Sequence, residues 1–304
     1  AEMSEWNEMP VFITSECPEA LAKEIQKSCI LLSLPKGLSI NDEPDYLFKN
    51  ILKPGDIFIL DGYSFHESYQ KRIHNGGVRL VYIDDIHQGV QYADIVINHA
   101  PGASADLYTK ADYTKLCLGI DFLILRKSFR RSGMEGKRLD KIHEAVICFG
   151  GADPGNYTLK AFEACIHSNT DMHIHLITGS SYLFKDELHQ RTASYPRHTW
   201  HENLNAEEMA DLLFRVQLVI CPASTISLEA FASGNILITG LTADNQLLIF
   251  KGLQKFRQVI PIDDFSRITA EEFSHKIRYL LENMPVFDSF EAAKNPYPQI
   301  FSTL

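Results

Sequence analysis

Short apolar runs alternate with helical patterns along most of the chain, and this alternation limits the possible folds more than any other feature. Runs that suit buried strands, such as residues 56–61 and 78–84, are separated by stretches with helical spacing, such as residues 64–75. Repeats of this kind place the strands parallel and cover the resulting sheet with helices. The sequence therefore predicts an α/β fold built on parallel sheets.

The alternation breaks at a polar, basic stretch, residues 130–138, and then restarts. Such a composition is typical of a linker between domains, and a chain of 304 residues has room for two. We predict an N-terminal domain over residues 1–131, a linker over 132–144 and a C-terminal domain over 145–304. Both would be doubly wound, Rossmann-like domains facing a cleft, with ligands at the carboxyl ends of the strands.

The beginning of the sequence lacks a unit that this fold needs. Residues 1–6 resemble the end of a helix and lead directly into the strand-like run at 10–14. A doubly wound domain opens with a strand and a ligand-binding turn, and loss of a central strand would expose two sheet edges. We expect that the first strand–helix unit lies upstream of this sequence. The alternative is that the protein has lost it.

Composition and charge exclude several classes of function. Apolar residues make up 45% of the chain, and the formal net charge of −10 disfavours non-specific binding to nucleic acid or to an anionic membrane. No run approaches the roughly 20 apolar residues of a membrane span. The six cysteines are scattered without a C-x-x-C pair, as in reduced cytoplasmic proteins. We expect a cytoplasmic monomer or weak oligomer.

The sequence also gives no reason to expect a metal ion or a cofactor. His173 and His175 stand two apart in a strand-like run, so they would share one face of a strand, without an obvious third ligand. Asp84 and Asp85 are adjacent at the end of another strand, and adjacent strand residues point to opposite faces. We therefore interpret neither pair as a metal site.

The first candidate binding feature is the glycine-rich stretch 149–156, Phe-Gly-Gly-Ala-Asp-Pro-Gly-Asn, between a strand and a helix. Glycines at such a place let backbone amides approach a phosphate, and the following helix contributes its positive end. A plain turn between strand and helix explains the same residues equally well.

A second strand–turn–helix stretch carries hydroxyl groups and a carboxylate. Ser224, Thr225 and Ser227 either cap the helix or hold a pyrophosphate at its N-terminus. Glu229 follows in the first turns, where a carboxylate can accept both hydroxyl hydrogens of a ribose diol. A third stretch, residues 241–246, is a polar loop after a strand, for which a surface turn is the simplest interpretation.

Together these stretches resemble the GT-B-type UDP-sugar hydrolases of pseudaminic acid biosynthesis, relatives of spore-coat polysaccharide proteins. The nearest activity is that of UDP-2,4-diacetamido-2,4,6-trideoxy-β-L-altropyranose hydrolase. The resemblance spans about residues 10–246, and its motifs are short but stand in the family's order. They are residues 60–63, 82–85, 94–98, 118–126, 149–156, 223–229 and 244–246.

The resemblance implies which residues contact UDP. They lie on the two strand–turn–helix stretches and are Gly150, Gly151, Asp153, Ser224, Thr225 and Glu229. The two glycines and the aspartate would border the diphosphate and the sugar. The serine and the threonine would bind phosphate, and the glutamate would bind the uridine ribose.

The resemblance also implies hydrolysis at the anomeric carbon, with inversion and release of UDP. Tyr63 and Asn245 match cleft positions that hold the sugar or the attacking water. The family's catalytic base is a histidine in a G-x-G-H-x-x-R turn, which this sequence does not contain. His66 and His87 lie near matching loops, but their neighbours do not fit the motif.

Two other functions fit the same residues. One is a UDP-sugar-dependent glycosyltransferase of GT-B fold, and the other is a non-catalytic UDP-sugar binding protein. A transferase that uses a lipid-linked acceptor should carry an apolar patch with basic edges, and no such cluster stands out in residues 10–129.

The C-terminal part gives less information about function. Residues 269–281 predict an amphipathic helix with Thr269 as cap and Glu272 at the capping-box position. The tail beyond it is aromatic, and we expect it to cover the first domain or a partner chain. Its aromatic residues are Phe287, Phe290, Tyr297 and Phe301.

Overall fold

The computed structural model describes residues 9–130, 141–168 and 171–284, together with Tyr297 and Ile300. The chain divides into two compact units, both of the α/β class. The first comprises the described residues of 1–99, 104–122 and 294–304, and the second comprises those of 100–103 and 123–293. The predicted helix end at 1–6, most of the predicted linker and Phe287, Phe290 and Phe301 lie outside the described residues.

The first unit alternates strands and helices, as the sequence predicts. Its elements are β1 (Val11–Thr14), α1 (Glu19–Ile25), β2 (Ile30–Ser33), α2 (Glu43–Asn50), β3 (Ile57–Asp61), α3 (Glu67–Asn75), β4 (Arg79–Ile83), β5 (Val90–Gln91), β6 (Ile95–Asn98), β7 (Thr109–Lys110) and β8 (Lys115–Leu118). Its core is made by apolar side chains of these elements, including Leu47, Ile73, Leu80 and Val96.

The strands of the first unit form three parallel sheets. The largest has the order β3-β4-β6-β8, with Ile57 opposite Arg79 at the start of the β3–β4 pair. β1 pairs with β2, and β5 pairs with β7. β6 is fully buried, whereas the apolar strand β3 is only half-buried over its first three residues. Among the described strands β3 pairs on one side only, so its other edge is open.

The second unit contains the longer run of alternating elements. They are β9 (Glu144–Cys148), α4 (Tyr157–His167), β10 (His173–Thr178), α5 (Lys185–Thr192), β11 (His198–Glu202), α6 (Ala206–Arg215), β12 (Leu218–Pro222), α7 (Thr225–Ala232), β13 (Ile236–Leu241), α8 (Leu247–Leu253), β14 (Val259–Asp264) and α9 (Ala270–Glu282).

The six strands of the second unit form one parallel sheet in the order β11-β10-β9-β12-β13-β14. Numbered within this unit, the order is 3-2-1-4-5-6, the arrangement of the Rossmann fold. The chain reverses its direction of winding between β9 and β12, which are hydrogen-bonded neighbours with Ala145 opposite Leu218. In sheets of this kind ligands bind at the carboxyl ends of the two strands that flank this point.

The local sequence explains where several helices begin. Asn205 accepts hydrogen bonds from the N–H groups of Glu207 and Glu208, and the Glu208 side chain returns to the Asn205 N–H, which forms a capping box. Thr269 and Glu272 form the second capping box at α9, so this prediction is confirmed. Such caps satisfy the N–H groups that a helix leaves free at its start.

The predictions fail in the stretches without a strong pattern. The sequence predicts helices over residues 157–167 and 206–215, and α4 and α6 have these bounds. It also predicts a short strand over 201–204, whereas β11 begins at His198 and ends at Glu202. α8 and β14 were not predicted, because α8 has few polar residues to define a face and β14 contains Pro261. Of the aromatic tail, the structure describes Tyr297, which is buried in the first unit and donates a hydrogen bond to the carbonyl oxygen of Phe122.

Candidate functional site

The turn after β9 exposes bare backbone at the winding reversal of the second sheet. Gly150 has φ of +86°, a conformation that side chains rarely adopt, and an added Cβ there would project into open space. Gly151 follows, also exposed, and its carbonyl accepts a hydrogen bond from the N–H of Gly179 at 3.1 Å. A turn with no side chains at these two positions lets a ligand approach its backbone closely.

Asp153 lies in the same turn, but its carboxylate supports the protein rather than facing outward. The residue is 2% exposed, and its two oxygens accept hydrogen bonds from the N–H groups of Tyr157 at 2.9 Å and Thr158 at 2.7 Å. It therefore satisfies the start of α4, as an N-cap residue does. Its backbone still borders the glycine turn, and its contact with a sugar stays a prediction.

The N-terminus of α7 stands at the end of β12, next to the glycine turn. Ser224 is the N-cap residue, yet its hydroxyl makes no capping hydrogen bond. Instead its carbonyl oxygen accepts hydrogen bonds from the N–H of Ser227 at 2.9 Å and from the Ser227 hydroxyl at 2.7 Å. Ser227 is buried, whereas Thr225 is exposed on the first turn. The hydroxyls of Ser224 and Thr225 thus lie at the N-terminus of a helix, where the helix dipole favours a bound negative charge.

Glu229 lies one turn further along α7 and is paired with an arginine. Its carboxylate, 2% exposed, accepts two hydrogen bonds from Arg126, from Nε at 2.6 Å and from Nη2 at 2.8 Å. These hydrogen bonds raise the pKa of the Arg126 guanidinium above its ordinary value. A two-point pairing of this geometry is among the stronger ion pairs in proteins.

Cys148 shows that these groups lie close together. Burial raises the pKa of its thiol to about 11, a hydrogen bond from the Gly150 backbone lowers it, and the charges of Asp153, Glu229 and Arg126 affect it further. Since Cys148 is the last residue of β9, the ion pair lies beside the carboxyl end of this strand.

The third predicted loop follows β13, the next strand in the sheet. Its residues 244–246 form a single turn of 3₁₀-helix. The Gln246 side chain closes the loop by accepting a hydrogen bond from the N–H of Thr242 at 2.8 Å, and Asn245 is exposed. Because β9, β12 and β13 are parallel neighbours, all three predicted loops of the second unit lie on one edge of its sheet.

Tyr63 belongs to the first unit, just beyond the carboxyl end of β3. It is 60% exposed, and its hydroxyl donates a hydrogen bond to Oδ2 of Asp85 at 3.0 Å. That hydrogen bond and the charge of Asp85 raise the pKa of the Tyr63 phenol. Burial and the charge of Asp85 also raise the pKa of Asp61, which ends the same strand.

The adjacent carboxylates Asp84 and Asp85 have different surroundings. Asp84 is buried and accepts hydrogen bonds from the N–H of His87 at 2.9 Å and from the Tyr108 hydroxyl at 2.9 Å. Asp85 is exposed and bonds to Tyr63. His66 only precedes α3, without a capping side-chain bond. In the ranges that the structure describes, no group of three or more His, Cys, Asp or Glu residues is arranged to hold a metal ion.

His173 and His175 share one face of β10, where their rings lie 4.8 Å apart. Nδ1 of His175 contacts Nε2 of His201 at 3.0 Å, and its Nε2 lies 3.3 Å from Glu144 and 3.4 Å from Nη2 of Arg215. Burial lowers the pKa of His175 to about 4. The histidines thus belong to a polar network of the second sheet.

The structure adds Arg126 to the site predicted from the sequence. Arg126 closes one of the family-like motifs, but its partner Glu229 lies 103 residues further along the chain. No local spacing connects the two, so the sequence gives Arg126 no role. A charged residue directly after the apolar run 122–125 was the only available signal.

Comparisons with known proteins show the fold but not the family. No family model matches the chain. The uncharacterized protein MJ1062 of Methanocaldococcus jannaschii is 27% identical over 243 residues, which cover 77% of this chain and 49% of that protein. The chain thus spans about half the length of this curated relative.

Several solved structures are similar over nearly the whole chain. MurG of Acinetobacter baumannii has a TM-score of 0.67 at 12% identity, covering 99% of this chain and 92% of its own. A UDP-N-acetylglucosamine 2-epimerase has a TM-score of 0.57 at 13% identity, covering 97% and 86%. MnaA of S. aureus, solved with UDP, has a TM-score of 0.56 at 13% identity, covering 95% and 92%. The chain therefore has the α/β fold of the GT-B glycosyltransferases, as the sequence predicts.

The helices of the described part were also compared with the requirements of a membrane span. None of them is both long enough and apolar enough to cross a bilayer.

Proposed function

We propose that this chain binds a UDP-sugar on the carboxyl edge of the second sheet and holds it for cleavage at the anomeric carbon. One observation carries the proposal: a bare glycine turn, a helix N-terminus with the hydroxyls of Ser224 and Thr225, and a buried carboxylate lie where β9 meets β12. The glycine turn and the helix N-terminus can bind the negatively charged diphosphate, and the carboxylate can accept the hydrogens of a ribose diol. The solved structures with this fold support the proposal, because they include MnaA in complex with UDP and a UDP-N-acetylglucosamine 2-epimerase.

The diphosphate would lie between the turn and the helix. The amide of Gly151 and the N-terminus of α7 supply hydrogen-bond donors and partial positive charge. Gly150, whose N–H donates to the Cys148 thiol, lets the diphosphate come close because it has no side chain. The hydroxyls of Ser224 and Thr225 add donors without adding charge. This arrangement binds an anion in a protein whose net charge is −10, because the attraction is local.

The proposed reaction is hydrolysis with inversion. A water oxygen attacks C1 of the sugar and gives a proton to a general base, the bond from C1 to the phosphate oxygen breaks, and UDP leaves with the electron pair. The helix end and the hydroxyls stabilise the charge that grows on the leaving diphosphate. The resemblance places the base on a turn that the 304 residues do not contain, so our proposal assigns to this chain binding, orientation and stabilisation of the leaving group.

Tyr63 and Asn245 would orient the sugar or the water. Because the Tyr63 hydroxyl gives its hydrogen to Asp85, its oxygen is free to accept a hydrogen bond. The raised pKa keeps the phenol protonated, so this orientation persists at neutral pH. Asn245 offers both a donor and an acceptor from an exposed position.

Glycosyl transfer is the second candidate, favoured by the GT-B glycosyltransferase fold of the chain. The two reactions differ in the group that attacks C1. A hydrolase releases UDP in water alone, whereas a transferase requires an acceptor hydroxyl.

The test is to incubate the protein with UDP-2,4-diacetamido-2,4,6-trideoxy-altrose or UDP-N-acetylglucosamine in water enriched in heavy oxygen. We expect UDP release and the heavy atom in the free sugar. Glu229→Gln should abolish release, while Glu202→Gln, which alters an exposed carboxylate paired with Lys185 in the same unit, should not. Release only with an added acceptor would indicate a transferase. UDP binding without any turnover would leave a binding protein.

A further inference from the structure

The carboxylate that we assign to the ribose is already occupied in this structure. Glu229 is 2% exposed, and each of its two oxygens accepts a hydrogen bond from Arg126. A ribose diol would bind by donating its two hydroxyl hydrogens to the same two oxygens. Nucleotide binding therefore requires Arg126 to give up this position.

Arg126 can leave without disturbing the fold around it. Its side chain is 47% exposed, and its neighbours fix the backbone. Leu123 and Phe129 are buried, and the Ser128 hydroxyl donates a hydrogen bond to Glu207 on α6 at 2.7 Å. A change of side-chain rotamer that moves the guanidinium away from Glu229 and from the Phe129 ring, whose centroid lies 5.1 Å from Cζ, would uncover the carboxylate.

Separating Arg126 from Glu229 costs free energy, because the guanidinium always carries its charge and loses its partner. If Arg126 only moved into water, the ligand would have to replace a two-point ion pair with neutral hydroxyls. An anionic group on the ligand changes this balance, since it offers the guanidinium a new partner. Such a group would lie near Arg126, because Arg126 pairs with Glu229 on α7, and the N-terminus of this helix is where we propose that the diphosphate binds.

We propose that Arg126 exchanges partners when a nucleotide binds: it covers Glu229 in the free protein and pairs with an anionic group of the ligand in the complex. This inference rests on the proposed function and adds a source of specificity to it. The site then selects nucleoside phosphates over nucleosides, because only the phosphorylated ligand compensates for the lost ion pair. Arg126 is a binding residue in this scheme: it pairs with the anionic group of the ligand and releases Glu229 for the ribose.

Calorimetric titration of uridine and of UDP tests the exchange. In Arg126→Ala no guanidinium occupies the Glu229 oxygens, so we expect uridine to bind more tightly by about 5-fold or more. We expect UDP to bind more weakly by a similar factor, because its anionic group loses the partner that Arg126 provides. The matched control is Arg215→Ala, because Arg215 is also a half-exposed arginine of the second unit, paired with Glu144 at 3.0 Å. That variant should leave both affinities unchanged.

Parallel losses for uridine and UDP in Arg126→Ala would overturn the exchange, since they would indicate that Arg126 only holds Glu229 in place. A second measurement uses the wild-type protein and therefore does not depend on the folding of the variant. The Nε–H resonance of Arg126 in arginine-labelled protein should move when UDP is added and should move less at the same concentration of uridine, which binds more weakly. An unmoved resonance in the UDP complex overturns the exchange but leaves the proposed function intact. Failure of wild-type protein to bind UDP overturns the proposed function itself.

Discussion

Gly179 follows β10 and touches the glycine turn after β9, so a single methyl group at this position tests the geometry of the site. A Cβ built on Gly179 would lie 2.6 Å from Cα of Gly151 and 2.7 Å from its carbonyl oxygen. Two carbon atoms in contact are about 3.5–4.0 Å apart, so Gly179→Ala must move the turn by about 1 Å. The atoms it meets belong to the backbone and cannot rotate away.

Two consequences of this displacement can be measured separately. Overpacking of this kind costs about 1–3 kcal/mol, which urea unfolding should show as a lower free energy of unfolding. A shift of about 1 Å in a binding site can cost about 100-fold in activity, so UDP binding and turnover should fall as well. Backbone strain does not add to the expected loss of stability, because Gly179 does not have a positive φ.

Gly151→Ala is the matched control for stability. A Cβ on Gly151 would lie 3.8 Å from Cα of Gly179, an ordinary contact, and Gly151 does not have a positive φ. We expect its free energy of unfolding to stay within about 0.5 kcal/mol of the wild type. The reasoning would be refuted if Gly179→Ala were as stable as the wild type, or if both variants lost the same stability.

Three further predictions concern single side chains. Asp153→Ala removes both hydrogen bonds to the start of α4, so urea unfolding should show a free energy of unfolding that is lower by about 1–2 kcal/mol. An unchanged value would mean that the carboxylate does not cap this helix. The pKa of His175 is lowered from 6.5 to about 4, so the unfolded chain takes up a proton before the folded chain does as pH falls. The free energy of unfolding should therefore decrease by about 3 kcal/mol between pH 7 and pH 4. His175→Gln should lose this part of the pH dependence. Tyr63→Phe should leave unfolding unchanged because the side chain is exposed, but should reduce kcat by about 10-fold or more; an unchanged kcat would remove Tyr63 from the proposed mechanism.

The sequence predicts those parts of the fold where a local pattern determines the structure. Alternating strands and helices give the parallel sheets, and Thr269 with Glu272 gives the start of α9, because a capping box involves only neighbouring residues. α8 has no such pattern, and the proline in β14 argued against a strand. β14 tolerates it at the edge of the sheet.

In the candidate site, too, some features follow from the local sequence and others from the folded chain. The turns at Gly150 and Ser224 can be located from the sequence, since small residues between a strand and a helix are a local signal. Their meeting at one edge depends on the order of strands, and the pairing of Glu229 with Arg126 depends on the folded chain. The buried carboxylate of Asp153 shows the reverse case, in which a residue of a predicted motif turns its side chain into the protein.

Hydrogen–deuterium exchange with and without UDP tests most directly whether a nucleoside diphosphate binds where β9 meets β12. We expect UDP to slow exchange in residues 149–153, 223–230 and 244–246, which contain the glycine turn, the start of α7 and the loop after β13. Slower exchange elsewhere in the second unit but not in these segments, or no change at saturating UDP, would contradict the proposed site.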